Sequence, residues 1–148
     1  MLAEEGADLE RTIFGHSNSY CGDLGFLLEL LHLGVYLQFD TLGIVGAPVA
    51  RIPPFPGPEH NSSHKAAEDV LVGEAIPKLI EAGFEDRLLI SQDVCLKVQL
   101  KHYGGTGYTF ILDKFIPFLR TQGLTDGHID KLLIKNPQRV LTFTDPGQ

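Results

Sequence analysis

Apolar residues along this chain fall into short blocks at two alternating spacings, and the alternation predicts successive βα units. Thr12-Ile13-Phe14, Val35-Tyr36-Leu37 and Leu88-Leu89-Ile90 are compact runs centred on apolar residues, the pattern of strands covered on both faces. Ahead of each stand an apolar residue, a few helix-favouring residues and a glycine: Leu2 to Gly6, Leu28 to Gly34 and Leu79 to Gly83. Leu119 to Gly123 repeats the helix end. Glycine just past a helix takes positive φ without steric penalty and closes the last turn. The pattern therefore predicts three parallel strands, Arg11 to His16, Val35 to Asp40 and Arg87 to Asp93, with helices near Asp23 to Leu33, Ala66 to Ala82 and Phe110 to Gln122.

The first helix carries Leu24, Leu27, Leu28 and Leu31 at helical spacing, an apolar stripe suited to packing on a sheet. Pro77 within the second predicts a break, a kink or a restart, because proline lacks the N–H that the ladder needs. Thr125 or Asp126 can cap a further helix through Ile134, and Asn136-Pro137 reads as the cap and first residue of a last turn ending near Phe143, ahead of a frayed tail.

Two long connections follow strand ends. Thr41 to Lys65 holds Pro48, Pro53, Pro54, Pro56 and Pro58, and Val94 to Thr109 holds Tyr103-Gly104-Gly105-Thr106-Gly107-Tyr108. Long loops inside compact domains are usually functional. Ligands in parallel α/β folds bind beyond the carboxyl ends of the strands, where His16, Asp40 and Asp93 all fall. Asp93 ends the apolar run Leu88-Leu89-Ile90, which reads as a buried strand delivering a carboxylate to a polar site. Asp40 reads either as a site group or as a cap for its loop. Gln92 either points into the sheet's concave side or bonds a neighbouring loop. The glycine-rich loop lacks the Lys-Ser/Thr of a phosphate-binding Walker motif and the helix-opening GxGxxG pattern, so it reads as a tight turn lining the mouth. His32, His60, His64, His102 and His128 read as solvated.

Composition narrows the partners. Twelve Lys+Arg against nineteen Asp+Glu leave a net charge of -7, which disfavours nucleic acid, whose binding relies on clustered positive charge. No run approaches bilayer-spanning length, so no membrane association is expected. Cys21 and Cys95 are far apart and form neither a disulfide framework nor a cysteine metal site, so a reducing, cytoplasmic compartment is expected. Cys95 reads as a packed thiol.

Five segments taken in order, Gly15-His16-Ser17, Val35 to Asp40, Ile90 to Cys95, Tyr103 to Tyr108 and Asn136 to Phe143, resemble the end of a phosphotriesterase-related protein of the amidohydrolase superfamily. The resemblance covers nearly the whole chain. It implies an α/β fold, a partial (β/α)8 TIM barrel of three C-terminal βα units, with residues 1–148 as one partial domain of something longer. It implies a zinc-dependent hydrolase of ester, lactone or phosphoester bonds. His16 would match the family's sixth-strand metal-ligand histidine. Asp93 would match the eighth-strand aspartate, a metal ligand that also handles the proton of the attacking water. The family's His-x-His pair, its bridging lysine or glutamate and its fifth-strand histidine lie on strands with no counterpart here. The isolated chain is therefore expected to be inactive. The alternative is a non-catalytic remnant that docks or forms a homo-oligomer through exposed sheet edges.

Overall fold

The computed structural model describes residues 4–44 and 62–143, with side chains of the second stretch from Asp69 onward. The prolines of the long connection, with His60 and the side chain of His64, lie outside the described residues.

Strands β1 (Ile13–Phe14), β2 (Tyr36–Phe39) and β3 (Leu88–Ile90) form one parallel sheet in that order. Ile13 pairs with Tyr36 and Phe14 with Leu37; Leu37, Gln38 and Phe39 pair with Leu88, Leu89 and Ile90. All three strands are shorter than the ranges predicted for them, Arg11 to His16, Val35 to Asp40 and Arg87 to Asp93. Arg11 closes a 3-10 turn, Leu9–Arg11, whose first turn is capped by the Asp8 carboxylate, and Arg87 closes another, Glu85–Arg87. Local hydrogen bonding thus takes the residues before β1 and β3 out of the ladder. At the far ends Gly15-His16 and Gln92-Asp93 turn away from the sheet, for reasons that belong to the site.

Helix ends follow the glycines. Gly34, Gly83 and Gly123, each just past a helix, have φ of 95°, 90° and 94°, and Gly6 has φ of 84° in a turn. Phe84 N–H donates to Leu79 O at 3.1 Å and Leu124 N–H to Leu119 O at 3.1 Å, the six-residue closure of a Schellman end. Helix α1 (Leu24–His32) starts at Asp23, whose carboxylate accepts from Phe26 N–H. It buries Leu27 and Leu31 fully and packs Leu24 and Leu28 at the edge of the core, as the stripe predicts. Alternation and register put Leu37, Phe39 and Leu88 on the face that helices cover, where all three are fully buried.

Helix α2 (Ser62–Glu81) begins ahead of Ala66 and continues through Pro77, against the expected break or restart. The reason is one of magnitude. Proline inside a helix costs about 3 kcal/mol, whereas Val72, Ile76 and Leu79, on both sides of the defect, are wholly buried and contribute roughly 1.5–3 kcal/mol each. Pro117 and Pro137 are accommodated differently. Each follows a π-turn, Ile111–Phe115 before helix α3 (Ile116–Thr121) and Lys131–Lys135 between α4 (Asp126–Asp130) and α5 (Asn136–Leu141). Ile116 N–H bonds Ile111 O and Asn136 N–H bonds Lys131 O. Widening the turn relieves the crowding between the proline ring and the carbonyl four residues back.

Asn136 is therefore not the cap of a separate turn, as its sequence context suggests. It lies inside a continuous helical stretch, 126–141, completely buried. Its Nδ2 donates to Glu85 O at 2.8 Å and Leu88 O at 2.9 Å, fastening the last helix to the entry of β3. Lys131 bonds both Glu85 and Asp86, and Arg139 Nη1 donates to Asp86 O at 3.1 Å. Burial works to raise the pKa of Asp86, but the hydrogen bond and charge of Lys131, with Arg139, outweigh it and hold the carboxyl below its ordinary range. Among the described residues, no helix is long and apolar enough to cross a membrane.

Candidate active site at the carboxyl ends of the strands

Among the described residues two non-glycines have positive φ: His16 at 55° and Asp93 at 46°. They are the two residues that the sequence singles out at the ends of β1 and β3. Histidine and aspartate tolerate the left-handed region better than most side chains, yet holding it costs of order 1–3 kcal/mol and requires surrounding structure to impose it. Each is held by a polar side chain.

For His16 the holder is Asp40, at the end of β2 between the other two strands. Its carboxylate accepts from His16 N–H at 3.2 Å and 3.0 Å, one oxygen each, and lies 3.0 Å from His16 Nδ1. Gly15 leaves the room, since a Cβ there would stand 3.2 Å from Asp40 Oδ2. A carboxylate only accepts, so the ring carries its proton on Nδ1 and presents the Nε2 lone pair outward. The Asp40 side chain is 15% exposed and that of His16 74%. A half-buried carboxylate thus orients an accessible imidazole, the arrangement that fixes tautomer and direction in metal-binding histidines. Among the described residues the bonds of Asp40 run to His16 rather than to the loop that follows it. Its replacement by asparagine is expected to switch the His16 proton to Nε2, visible in the imidazole 15N shifts. In an active assembly the same change should cost roughly 10–100-fold in activity.

For Asp93 the holder is Gln99, a residue the sequence reading passes over. Gln99 Oε1 accepts from Cys95 N–H at 2.8 Å and Leu96 N–H at 2.6 Å, and its Nε2 donates to Asp93 O at 3.0 Å. Among the described residues the Asp93 carboxylate itself has no hydrogen-bond partner, and the residue is exposed. Gln92 Nε2 donates to Gly107 O at 2.8 Å, which decides for the loop-bonding alternative. Thr106 Oγ1 donates to Gly43 O at 2.7 Å and so ties the glycine-rich loop to the connection after β2. Thr109 and Lys101 both bond Asp113, and these bonds lower its pKa.

Some expectations fail here. Cys95 is exposed rather than packed, because Gln99 draws its backbone inward and leaves the thiol outside. His32 is exposed as expected, with its ring edge-on to Phe84, whereas His128 is half-buried and accepts from Thr125 N–H at its own helix cap, so it is not simply solvated. A shallow groove of about 670 Å³ is lined by last-helix residues such as Ile134, Pro137 and Leu141 and by none of the strand-end groups.

His16 and Asp93 suit a divalent metal in donor type, one imidazole nitrogen and one carboxylate. A catalytic zinc takes three protein donors, and among the described residues no three His, Cys, Asp or Glu side chains gather into a metal-binding group. By themselves these residues do not make a complete metal centre.

Three parallel strands in one sheet, helices on the covered face and polar groups at the carboxyl ends define a portion of a TIM barrel, with the candidate site groups at the face where such barrels carry their sites. A sequence model of the Phosphotriesterase family matches residues 1–141, and the chain belongs to that family. It is 34% identical over 143 residues to the N-acetyltaurine hydrolase of Danio rerio, an alignment covering 97% of this chain and 38% of that protein. A resiniferatoxin-binding protein from Rhodobacter sphaeroides superposes with a TM-score of 0.78 and 35% identity, over 94% of this chain and 36% of its own. A lactonase from Listeria monocytogenes does so with a TM-score of 0.70 and 28% identity, over 97% and 40%. The chain therefore spans under half the length of the relatives it matches.

Proposed function

We propose that this chain carries the C-terminal part of a phosphotriesterase-like hydrolase site, completed by barrel strands it does not itself contain. The observation that supports this most directly is the pairing of left-handed backbone with a dedicated polar holder at both His16 and Asp93. His16 Nε2 and the Asp93 carboxylate would be two donors to a divalent metal, zinc by family resemblance, whose chemistry when bound is to activate water and polarise the scissile group. Asp93 takes the proton as water adds to the carbonyl or phosphoryl centre. It returns that proton to the leaving oxygen or nitrogen as the bond to it breaks. Asp40 keeps the His16 ring in one tautomer throughout. A lactone or other ester suits this chemistry, and a relative named N-acetyltaurine hydrolase adds an N-acyl amide.

The test is a transplant. Residues 1–141 replace the matched segment of the Danio rerio enzyme, and the chimaera is assayed on N-acetyltaurine, lactones, carboxyl esters and phosphotriesters. Hydrolysis of at least one substrate is expected. Its loss in His16→Ala should exceed the roughly 10–100-fold that removing an outer hydrogen-bond partner costs. A monodisperse, folded chimaera inert on the whole panel would overturn the reading. A second reading, a non-catalytic piece that self-associates through its sheet edges, draws support from Ile13, 40% exposed on β1 at the sheet's margin. A two-chain mass in light scattering together with an inert chimaera would favour it.

A further inference from the structure

Gln99 lies on a 3-10 turn, Lys97–Gln99, six residues past Asp93, and is 4% exposed in a loop that is otherwise largely open. Burying a primary amide is unfavourable unless its hydrogen bonds are made. Its side chain makes three: Oε1 takes both following amides, Cys95 and Leu96, and Nε2 gives to the carbonyl of Asp93 itself. The three bonds surround the one residue of the loop, glycines aside, that stands in the left-handed region. Gln99 is fixed in turn by its own main chain. Gly107 N–H donates to Gln99 O at 2.8 Å, while Gln92, next to Asp93, holds Gly107 O. Gly105 lies so close that a Cβ there would fall 2.2 Å from Gln99 C. The glycine-rich loop thus closes a ring that runs from Asp93 through Gln99, Gly107 and Gln92 back to Asp93.

We propose that Gln99 is a positioning residue, whose amide, braced by Gly105 and Gly107, imposes the left-handed conformation of Asp93 and so aims its carboxylate off the end of β3. The inference rests on the functional reading of Asp93 for its consequence, but the conformational clamp is testable without it. It also assigns the glycine-rich loop a role other than phosphate binding: Gly105 lets the loop's main chain close against the Gln99 main chain, which a β-carbon there would prevent.

The experiment uses the 148-residue chain and two variants. Gln99→Met keeps length and burial but removes all three bonds, and Gln99→Glu keeps an acceptor for the Cys95 and Leu96 amides while losing the donor to Asp93 O. In Gln99→Met, amide exchange at Cys95 and Leu96 is expected to accelerate roughly tenfold or more, as lost hydrogen bonds of this kind imply. The Asp93 Cα and Cβ shifts should move from left-handed toward extended values. Gln99→Glu should restore slow exchange at the two amides. In the chimaera, Gln99→Met should lower kcat roughly 10–100-fold with KM within about threefold, since the orientation of a reacting group, not substrate binding, is lost. Unchanged Asp93 shifts together with exchange within twofold of the parent would overturn the clamp. Should Gln99→Met unfold, retention of left-handed Asp93 shifts in Gln99→Glu with unprotected Cys95 and Leu96 amides would overturn it equally. A shifted Asp93 with full chimaera activity would refute the reading of Asp93 instead and leave the clamp standing.

Discussion

Asparagine in place of Asp93 in the chimaeric enzyme is expected to lower kcat/KM by roughly 10²–10⁴-fold, the contribution of a positioned proton acceptor. The substitution is chosen because asparagine has the same size and tolerates φ near 46° as aspartate does. Gln99 binds the backbone of residues 93, 95 and 96 rather than the Asp93 carboxylate, so the clamp survives. What changes is the loss of charge and of the ability to take a proton. The thermal midpoint should therefore stay within a few degrees, and KM should change little if substrate is held by other groups. A loss below tenfold, with unaltered stability, would remove Asp93 from the proton-handling role.

The largest effect on stability is expected at Asn136. Alanine there leaves the buried Leu88 O and the partly buried Glu85 O without the donor they share, and opens a cavity at a residue with no solvent exposure. Each stranded buried group costs about 1–3 kcal/mol, which places the total at roughly 2–4 kcal/mol once partial relaxation is allowed. Urea unfolding should show a lower midpoint at constant slope. Asn136→Asp separates the terms: it fills the space but offers no donor, so it should be at least as damaging as alanine. A midpoint shift worth less than about 0.5 kcal/mol, the range of ordinary surface changes, would show that the last helix is held to β3 by apolar packing alone.

Several features were legible along the chain because they depend on neighbours in sequence. The three parallel strands follow from apolar runs, three helix ends from Gly34, Gly83 and Gly123, and the core face of α1 from its leucine spacing. The placement of His16 and Asp93 at strand ends is of the same kind, since a carboxyl end is simply where an apolar run stops. Pro77 misled because local propensity counts the lost helix bond and not the buried face that outweighs it. Asn136-Pro137 misled in the same way. An Asn-Pro pair favours a helix start locally, but two carbonyls forty-eight and fifty-one residues away claim the asparagine's donor and a π-turn accommodates the proline.

By itself, then, the order of residues determined the βα alternation, the family and two candidate site groups, all of which rest on short-range periodicity or on motif succession. The tertiary structure alone decided what holds those groups. Asp40 reaches His16 across a strand pair twenty-four residues apart, and Gln99 becomes a clamp only because Gly105 and Gly107 close the loop over it. A polar side chain in a polar stretch carries no mark of burial until the chain folds back. Whether it becomes a surface residue or the support of a catalytic carboxylate is settled by the contacts that remove it from water.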